Sequence, residues 1–307
     1  MQTGSNLQLI VDWDRFDPWR IQPVRHRLSD HPLLQPDQLI ELGRRLDVRG
    51  LVRTHSDQAT AGTPFNDAPS MHPNRKSAEE TLSRIRDAGA WMSLLNVQTD
   101  PVYRRLVDEV IDELRLQVEQ RDPGICYRGG WIFVTSPNAV TPFHIDKEHN
   151  FILQIRGTKT LYVWDHRDVT VVSELARDRF HHAHARDLIV WRDEFRQRAT
   201  VFKLQPGQGA YMPSTSPHMV ENDDGPSITA SFTYYTSATR RNSRLHSLHQ
   251  RFRDAGLSPA PVGSNVFADA VLGAGSRAVW GLSDAIARMR SSDARVDGAR
   301  YAHAQVG

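Results

Sequence analysis

Residues 141–163 read TPFHIDKEHNFILQIRGTKTLYV, and the fold turns on this stretch. Phe151-Ile152-Leu153-Gln154-Ile155 is a run of β-formers, and Arg156-Gly157-Thr158 supplies turn chemistry. Lys159-Thr160-Leu161-Tyr162-Val163-Trp164 is a second β run. The pattern predicts a hairpin. Just ahead of it stands His144-Ile145-Asp146. Alternate residues of a strand point the same way, so a His-x-Asp at a strand presents an imidazole and a carboxylate on one pleat face.

Working outward, Trp131-Ile132-Phe133-Val134-Thr135 is another β-rich run, closed by the turn residues Ser136-Pro137-Asn138. Val201–Leu204, the turn 205–209 (QPGQG) and Ala210–Pro213 read as a second hairpin. Ser227–Thr236 is a further β-branched and aromatic strand. Many short strands joined by turns point to a closed or sandwiched antiparallel sheet.

On either side of this core the texture is helical. Leu39, Leu42 and Leu46 fall at helical spacing after Pro36, which suits a first-turn position. Ser77 and Glu80 form a capping box ahead of a helix carrying Leu82 and Ile85. Asp100-Pro101 reads as an N-cap followed by proline at the first helical position, with Leu106, Val110 and Leu114 as the apolar stripe. Residues 54–76 lack periodicity and are rich in turn formers, so a long loop, a candidate lid, is expected there. Beyond residue 240 the pattern returns to helix and loop, with Val266–Met289 the main apolar stretch. These textures divide the chain into a helical region (1–125), a β-barrel core (126–240) and a C-terminal helical region (241–307) that is a candidate dimerisation element.

Hydrophobic residues make up 39% of the chain and charged residues 24%, which suits a folded globular protein rather than a disordered one. A net charge of +2, with no basic stripe interleaved with aromatics, gives no footing for nucleic-acid binding. Lysine occurs only at positions 76, 147, 159 and 203, so each lysine position carries information. The lone cysteine, Cys126, excludes an intramolecular disulfide and a cysteine-rich zinc site. No apolar run approaches the roughly 20 residues that span a bilayer. Met1–Phe16 carries charges within its apolar stretch and lacks the apolar core of a signal peptide. A cytoplasmic protein is the expectation.

His-x-Asp on its own says little. The chain holds three such triplets: His55-Ser56-Asp57, His144-Ile145-Asp146 and His166-Arg167-Asp168. The first falls in the expected loop. The third has the His-Arg-Asp of a kinase catalytic loop but Ser173 where asparagine belongs, and no glycine-rich phosphate loop precedes it. The middle triplet alone is flanked by strands on both sides. Two imidazoles and one carboxylate on one side of a metal, with adjacent positions open, is the donor set of non-haem Fe(II) oxygenases. The second imidazole must come from a histidine on a distant strand that crosses the same barrel mouth.

Taken together, Thr141-Pro-Phe-His144-Ile-Asp146, Asn150 four residues after the aspartate and Lys159 thirteen after it resemble the JmjC/cupin-like hydroxylases, the family of the asparaginyl hydroxylase that inhibits hypoxia-inducible factor. The segment Pro206-Gly207-Gln208-Gly209-Ala210-Tyr211-Met212-Pro213 before His218 continues the resemblance, which covers about residues 130–236. It implies a double-stranded β-helix (jelly-roll) barrel, Fe(II) held by His144, Asp146 and His218, and 2-oxoglutarate as co-substrate. It further implies O₂-dependent hydroxylation or demethylation of a peptide, protein or small-molecule substrate. Thr141, Asn150 and Lys159 are the expected cofactor-binding residues. The far carboxylate of 2-oxoglutarate needs a cationic partner once buried, and lysine is a compact one. The chain departs from the family pattern at Ser231, where an asparagine is expected. Two other readings of the same residues stand beside this one: a non-catalytic cupin-like binding or regulatory protein, and a metal-dependent cupin enzyme that does not use 2-oxoglutarate.

Overall fold

The computed structural model describes residues 8–265 and 267–273. In chain order the elements are β1 (Leu9–Ile10), β2 (Gln22–His26), α1 (Pro36–Asp47), β3 (Val52–Ser56), α2 (Ala68–Met71), α3 (Ala78–Ser83), β4 (Ala90–Leu94) and α4 (Pro101–Glu119). There follow β5 (Arg128–Thr135), β6 (Val140–His144), β7 (His149–Arg156), β8 (Lys159–Val163), α5 (Glu174–Ala183), β9 (Thr200–Leu204), β10 (Gln208–Met212), β11 (His218–Asn222), β12 (Ser227–Tyr234) and α6 (Ser237–Asp254). The described residues form two compact units, one within Met1–Val172 and Ile189–Ser237, the other within Ser173–Leu188 and Ala238–Gly307.

In the first unit the strands make an eight-stranded sheet, β1-β2-β10-β7-β12-β5-β4-β3, and a four-stranded sheet, β6-β11-β8-β9. β8 pairs with β9, β7 with β10, β6 with β11 and β5 with β12, all antiparallel. The segment β5–β12 is therefore one long antiparallel ribbon, reversed between β8 and β9, whose successive stretches swing between the two sheets. That is the double-stranded β-helix.

The two hairpins expected at 151–164 and 201–213 do not form. β7 and β10 lie in the large sheet, β8 and β9 in the small one. Strand–turn–strand chemistry specifies a change of direction, and here each turn is a corner between sheets. Packing chooses the partner. β7 is buried along nearly its whole length. Phe151, Leu153 and Ile155 join the layer that includes Leu106, Val110 and Leu114 of α4, while Ile152 joins Leu161, Val163, Leu204, Ala210, Met212 and Val220 inside the barrel. A strand apolar on both faces belongs at the centre of a sheet.

The helical expectations hold for α1 and α4, and for α3 except that it ends at Ser83, so Ile85 lies beyond it. Leu39, Leu42 and Leu46 are the buried face of α1. Ser77 and Glu80 close both arms of a capping box on α3. The Asp100 side chain accepts from the amides of Val102 and Tyr103 at the start of α4. The N-terminal region is nonetheless not simply helical. β2 pairs with β10, and β4 pairs with β5. No division falls at residue 125, because β1–β4 complete the large sheet. The second boundary also differs, since residues 173–188 group with those after 237. The stretch 54–76 contains the end of β3 and the short α2, so it is only partly a loop. β3 shows no apolar alternation and owes its strand conformation to pairing with β4.

In the second unit, α5 and α6 meet through polar contacts. His246 Nδ1 lies 2.7 Å from Asp178 Oδ1, and the His181 and His246 rings stack at 4.9 Å. His181, His182 and His184 sit at the end of α5, with His181 buried. Most of Val266–Met289, the candidate dimerisation stretch, lies outside the described residues.

Candidate metal centre

His144 closes β6 and His218 opens β11, and the two residues are directly paired across these strands. A register shift between His218 and Val220 aims both side chains at the same mouth of the barrel. Their rings lie 4.1 Å apart between centroids. Asp146, two residues past His144, brings Oδ2 to 3.5 Å from His144 Nε2 and 3.7 Å from His218 Nε2. One ligand atom from each of the three lies within 4.8 Å of the others.

The backbone sets the tautomers. His144 Nδ1–H donates to the Pro142 carbonyl at 2.8 Å, and His218 Nδ1–H donates to the Ser216 carbonyl at 3.1 Å. A carbonyl only accepts, so each Nδ1 carries a proton and each Nε2 presents a lone pair toward Asp146. Outer hydrogen bonds of this kind are what orient metal-ligating imidazoles. The Asp146 backbone is tied by the Thr215 amide, which donates to its carbonyl at 2.8 Å, and Thr215 occupies the left-handed region (φ 62°) to do so. With two imidazole Nε2 atoms, one carboxylate and a side chain still 37% exposed at Asp146, the donor set fits a divalent cation with an open side.

Of the expected cofactor residues, Lys159 shares its strand parity with Leu161 and Val163, and all three are buried. It points into the barrel at 4% exposure. Among the described residues no carboxylate pairs with it, and burial lowers its ammonium to about 7. Thr141 accepts a hydrogen bond from Trp91 Nε1 at 2.8 Å. Asn150 lies on β7 with a buried Oδ1 that has no hydrogen-bond partner among the described residues, and the same holds for the buried Ser231 Oγ on the neighbouring β12.

Several residues around the site were not foreseen. Phe65 stacks on His144 at 3.8 Å and 11°, and the Arg53 guanidinium covers the same ring at 4.5 Å. Glu148 accepts from the Tyr235 hydroxyl at 2.9 Å; burial first, then the Asp146 carboxylate, raises its carboxyl to about 7. Trp91 belongs to the short apolar run of β4, whose residue types mark burial but not the partner. Nothing in the local sequence signals Phe65.

The other His-x-Asp triplets fall elsewhere. His55 lies in β3, buried and stacked on Trp91, not in a loop. Asp168 pairs with Arg198 at 2.7 Å. His149, three residues past Asp146, is a core group: Tyr211, Asp122 and the Ser214 amide surround it. A further cluster in the second unit, Glu174, Asp178 and His246, has its carboxylates matched by Arg177 and Arg253.

An eight-stranded β-helix with two imidazoles and a carboxylate at one mouth is a cupin-type barrel. The chain belongs to the cupin-like domain family, whose sequence pattern matches residues 36–240. A comparison with curated protein sequences finds no match. Among solved structures, the chain is similar to Escherichia coli YcfD, at 16% identity and a TM-score of 0.49, covering 84% of this chain and 62% of that one. A second structure of that protein, described as a ribosomal oxygenase in complex with cobalt and 2-oxoglutarate, matches at 16% identity and a TM-score of 0.46, covering 84% and 61%. The DMSP lyase DddQ from Ruegeria pomeroyi matches at 13% identity and a TM-score of 0.23, covering 35% and 38%. The chain thus spans less than two thirds of the length of these two YcfD structures.

Proposed function

We propose that the chain is an Fe(II)- and 2-oxoglutarate-dependent oxygenase that hydroxylates a C–H bond of a peptide, protein or small-molecule substrate. Overall, 2-oxoglutarate, O₂ and R–H become succinate, CO₂ and R–OH. The observation that carries this reading is Lys159: a buried ammonium with no counter-charge among the described residues, in the same barrel as the His144–Asp146–His218 donor set. A buried charge without a partner is costly, and an anionic ligand relieves the cost. The same observation favours 2-oxoglutarate use over a cupin enzyme that binds metal alone.

In this reading His144, Asp146 and His218 hold the metal through Nε2, a carboxylate oxygen and Nε2. Fe(II), when bound, supplies the positions at which the co-substrate and O₂ meet and the oxidising power for the C–H bond. The chain's residues do the rest. The Pro142 and Ser216 carbonyls keep each imidazole in the ligating tautomer. Lys159 neutralises the far carboxylate of 2-oxoglutarate, and the Thr141 hydroxyl donates to it. Leu161, Val163, Met212 and Val220 keep water from the chamber. Proteins and small molecules both present such C–H bonds, and the sequence resemblance favours a peptide or protein.

The test is anaerobic titration of the apo-protein with Fe(II) and then 2-oxoglutarate, watching for the metal-to-ligand charge-transfer absorption. The band is expected with the wild-type chain and lost in Asp146→Ala. Bound iron without a band on adding 2-oxoglutarate would rule the reading out.

A further inference from the structure

Trp91 is a buried residue of β4 whose indole is fixed on every side. The His55 ring stacks on it at 4.7 Å and 9°, and Phe133 lies at 5.6 Å on the next strand. The Thr54 hydroxyl donates to the Trp91 carbonyl at 2.8 Å. His55 Nδ1–H donates to the Ser56 carbonyl at 2.8 Å, and burial lowers the imidazole to about 4, so the stacked ring is uncharged at neutral pH. The one polar atom of the indole is spent on Thr141.

An indole N–H only donates, whereas a threonine hydroxyl offers one proton and two lone pairs. With a lone pair taken by Trp91, the Thr141 proton is directed away from the indole. Among the described residues it finds no acceptor. The register locates it: Thr141 stands beside Val220, and Lys159 stands beside Asn222, two residues further along β11. Val220 belongs to the barrel interior, and Lys159 points into the same space. Two donors without acceptors, one of them cationic, then face one chamber.

We infer that Trp91 is a positioning residue for the far carboxylate of the co-substrate, holding the Thr141 hydroxyl so that its proton points at the anion that Lys159 receives. The inference rests on the 2-oxoglutarate reading above. It also gives the His55 triplet a role, as the ring that braces the indole rather than as a metal ligand.

The test is a double-mutant cycle on the full chain loaded with Mn(II), with 2-oxoglutarate binding read by calorimetry under anaerobic conditions. Trp91→Phe keeps an aromatic ring against His55 and removes the N–H; it is expected to weaken 2-oxoglutarate about three- to tenfold, the worth of one hydrogen bond. Thr141→Val is expected to weaken it about tenfold or more, because a hydrogen bond to a carboxylate is stronger. Mn(II) affinity should not change in either variant, and Thr141→Ser should restore binding. The double variant should bind no more weakly than Thr141→Val alone, since the indole acts only through the hydroxyl. Additive losses, or unchanged binding in Trp91→Phe, overturn the inference while leaving the co-substrate reading intact. Should Trp91→Phe not fold, unchanged binding in Thr141→Val overturns it on its own. No 2-oxoglutarate binding to the wild-type chain removes the reading beneath it as well.

Discussion

Lys159 is where the proposed function and stability oppose each other. Burial depresses its ammonium to about 7, well below the usual lysine value. Below pH 7 the group is charged in both the folded and unfolded chain, and the folded state bears the full penalty of burying it. Between pH 7 and about 10.5 the unfolded chain binds the extra proton, so stability rises with pH; above that range the penalty is gone. Lys159→Met is therefore expected to stabilise the apo-protein by roughly 1–4 kcal/mol at pH 7 and below, and to flatten the rise above it, as urea unfolding across pH would show. The same substitution should weaken 2-oxoglutarate about 100-fold or more. A destabilised apo-protein with normal co-substrate binding would mean that Lys159 is a structural group. Burial and strand parity decide the direction of this side chain. From the sequence alone, a lysine just past a turn could face either way.

At the scale of elements, the corner between β7 and β8 and the segment before α2 carry the sharpest consequences. Gly157 takes φ +72° at the corner, and a Cβ there would run into the Pro226 carbonyl. Gly157→Ala is expected to cost about 2 kcal/mol or more in denaturant unfolding, from left-handed strain plus the backbone clash. Little change would mean the corner relaxes freely. The segment ahead of α2 is tied down by the Phe143 amide, which donates to the Ala61 carbonyl at 3.1 Å, and delivers Phe65 onto His144. Phe65→Ala removes a stacked ring worth about 0.5–1.5 kcal/mol, so Fe(II) affinity should fall a few-fold, measured by competition with a chelator. Unchanged affinity would make Phe65 a bystander.

For the molecule as a whole, buried histidines set the acid limit. His26, His55 and His149 all have pKa values lowered by burial. His26 and His149 are held neutral by their contacts: His26 Nε2–H donates to the Gln154 carbonyl while its Nδ1 accepts from the Leu28 amide, and His149 Nδ1 accepts from the Ser214 amide. The unfolded chain takes up these protons first, so stability is present above about pH 6.5 and is lost as pH falls toward the folded values, which for His55 means about 4. Urea midpoints should drop between pH 7 and 5, and His55→Phe should make the drop smaller. A flat profile over that range would contradict the buried neutral imidazoles. Bound metal and co-substrate should raise the thermal midpoint near neutral pH, where the ligands are deprotonated, because both favour the folded chain.

Much of this protein is written in short-range chemistry. The caps at Ser77 and Asp100, the leucine stripe of α1 and the β runs of the barrel are legible residue by residue, because capping, helical spacing and strand alternation act over a few positions, whereas the candidate donor set is read through its resemblance to a family pattern. Tertiary structure decided everything that depends on a partner. It made two apparent hairpins into corners, drew β3 and β4 into the large sheet, stacked His55 under Trp91 and laid Phe65 on His144. It also set His218 opposite His144 from 74 residues away. The reason is physical. A turn signal specifies a reversal or a bend but not which strand lies alongside, and that choice is made by burying apolar faces contributed by distant parts of the chain.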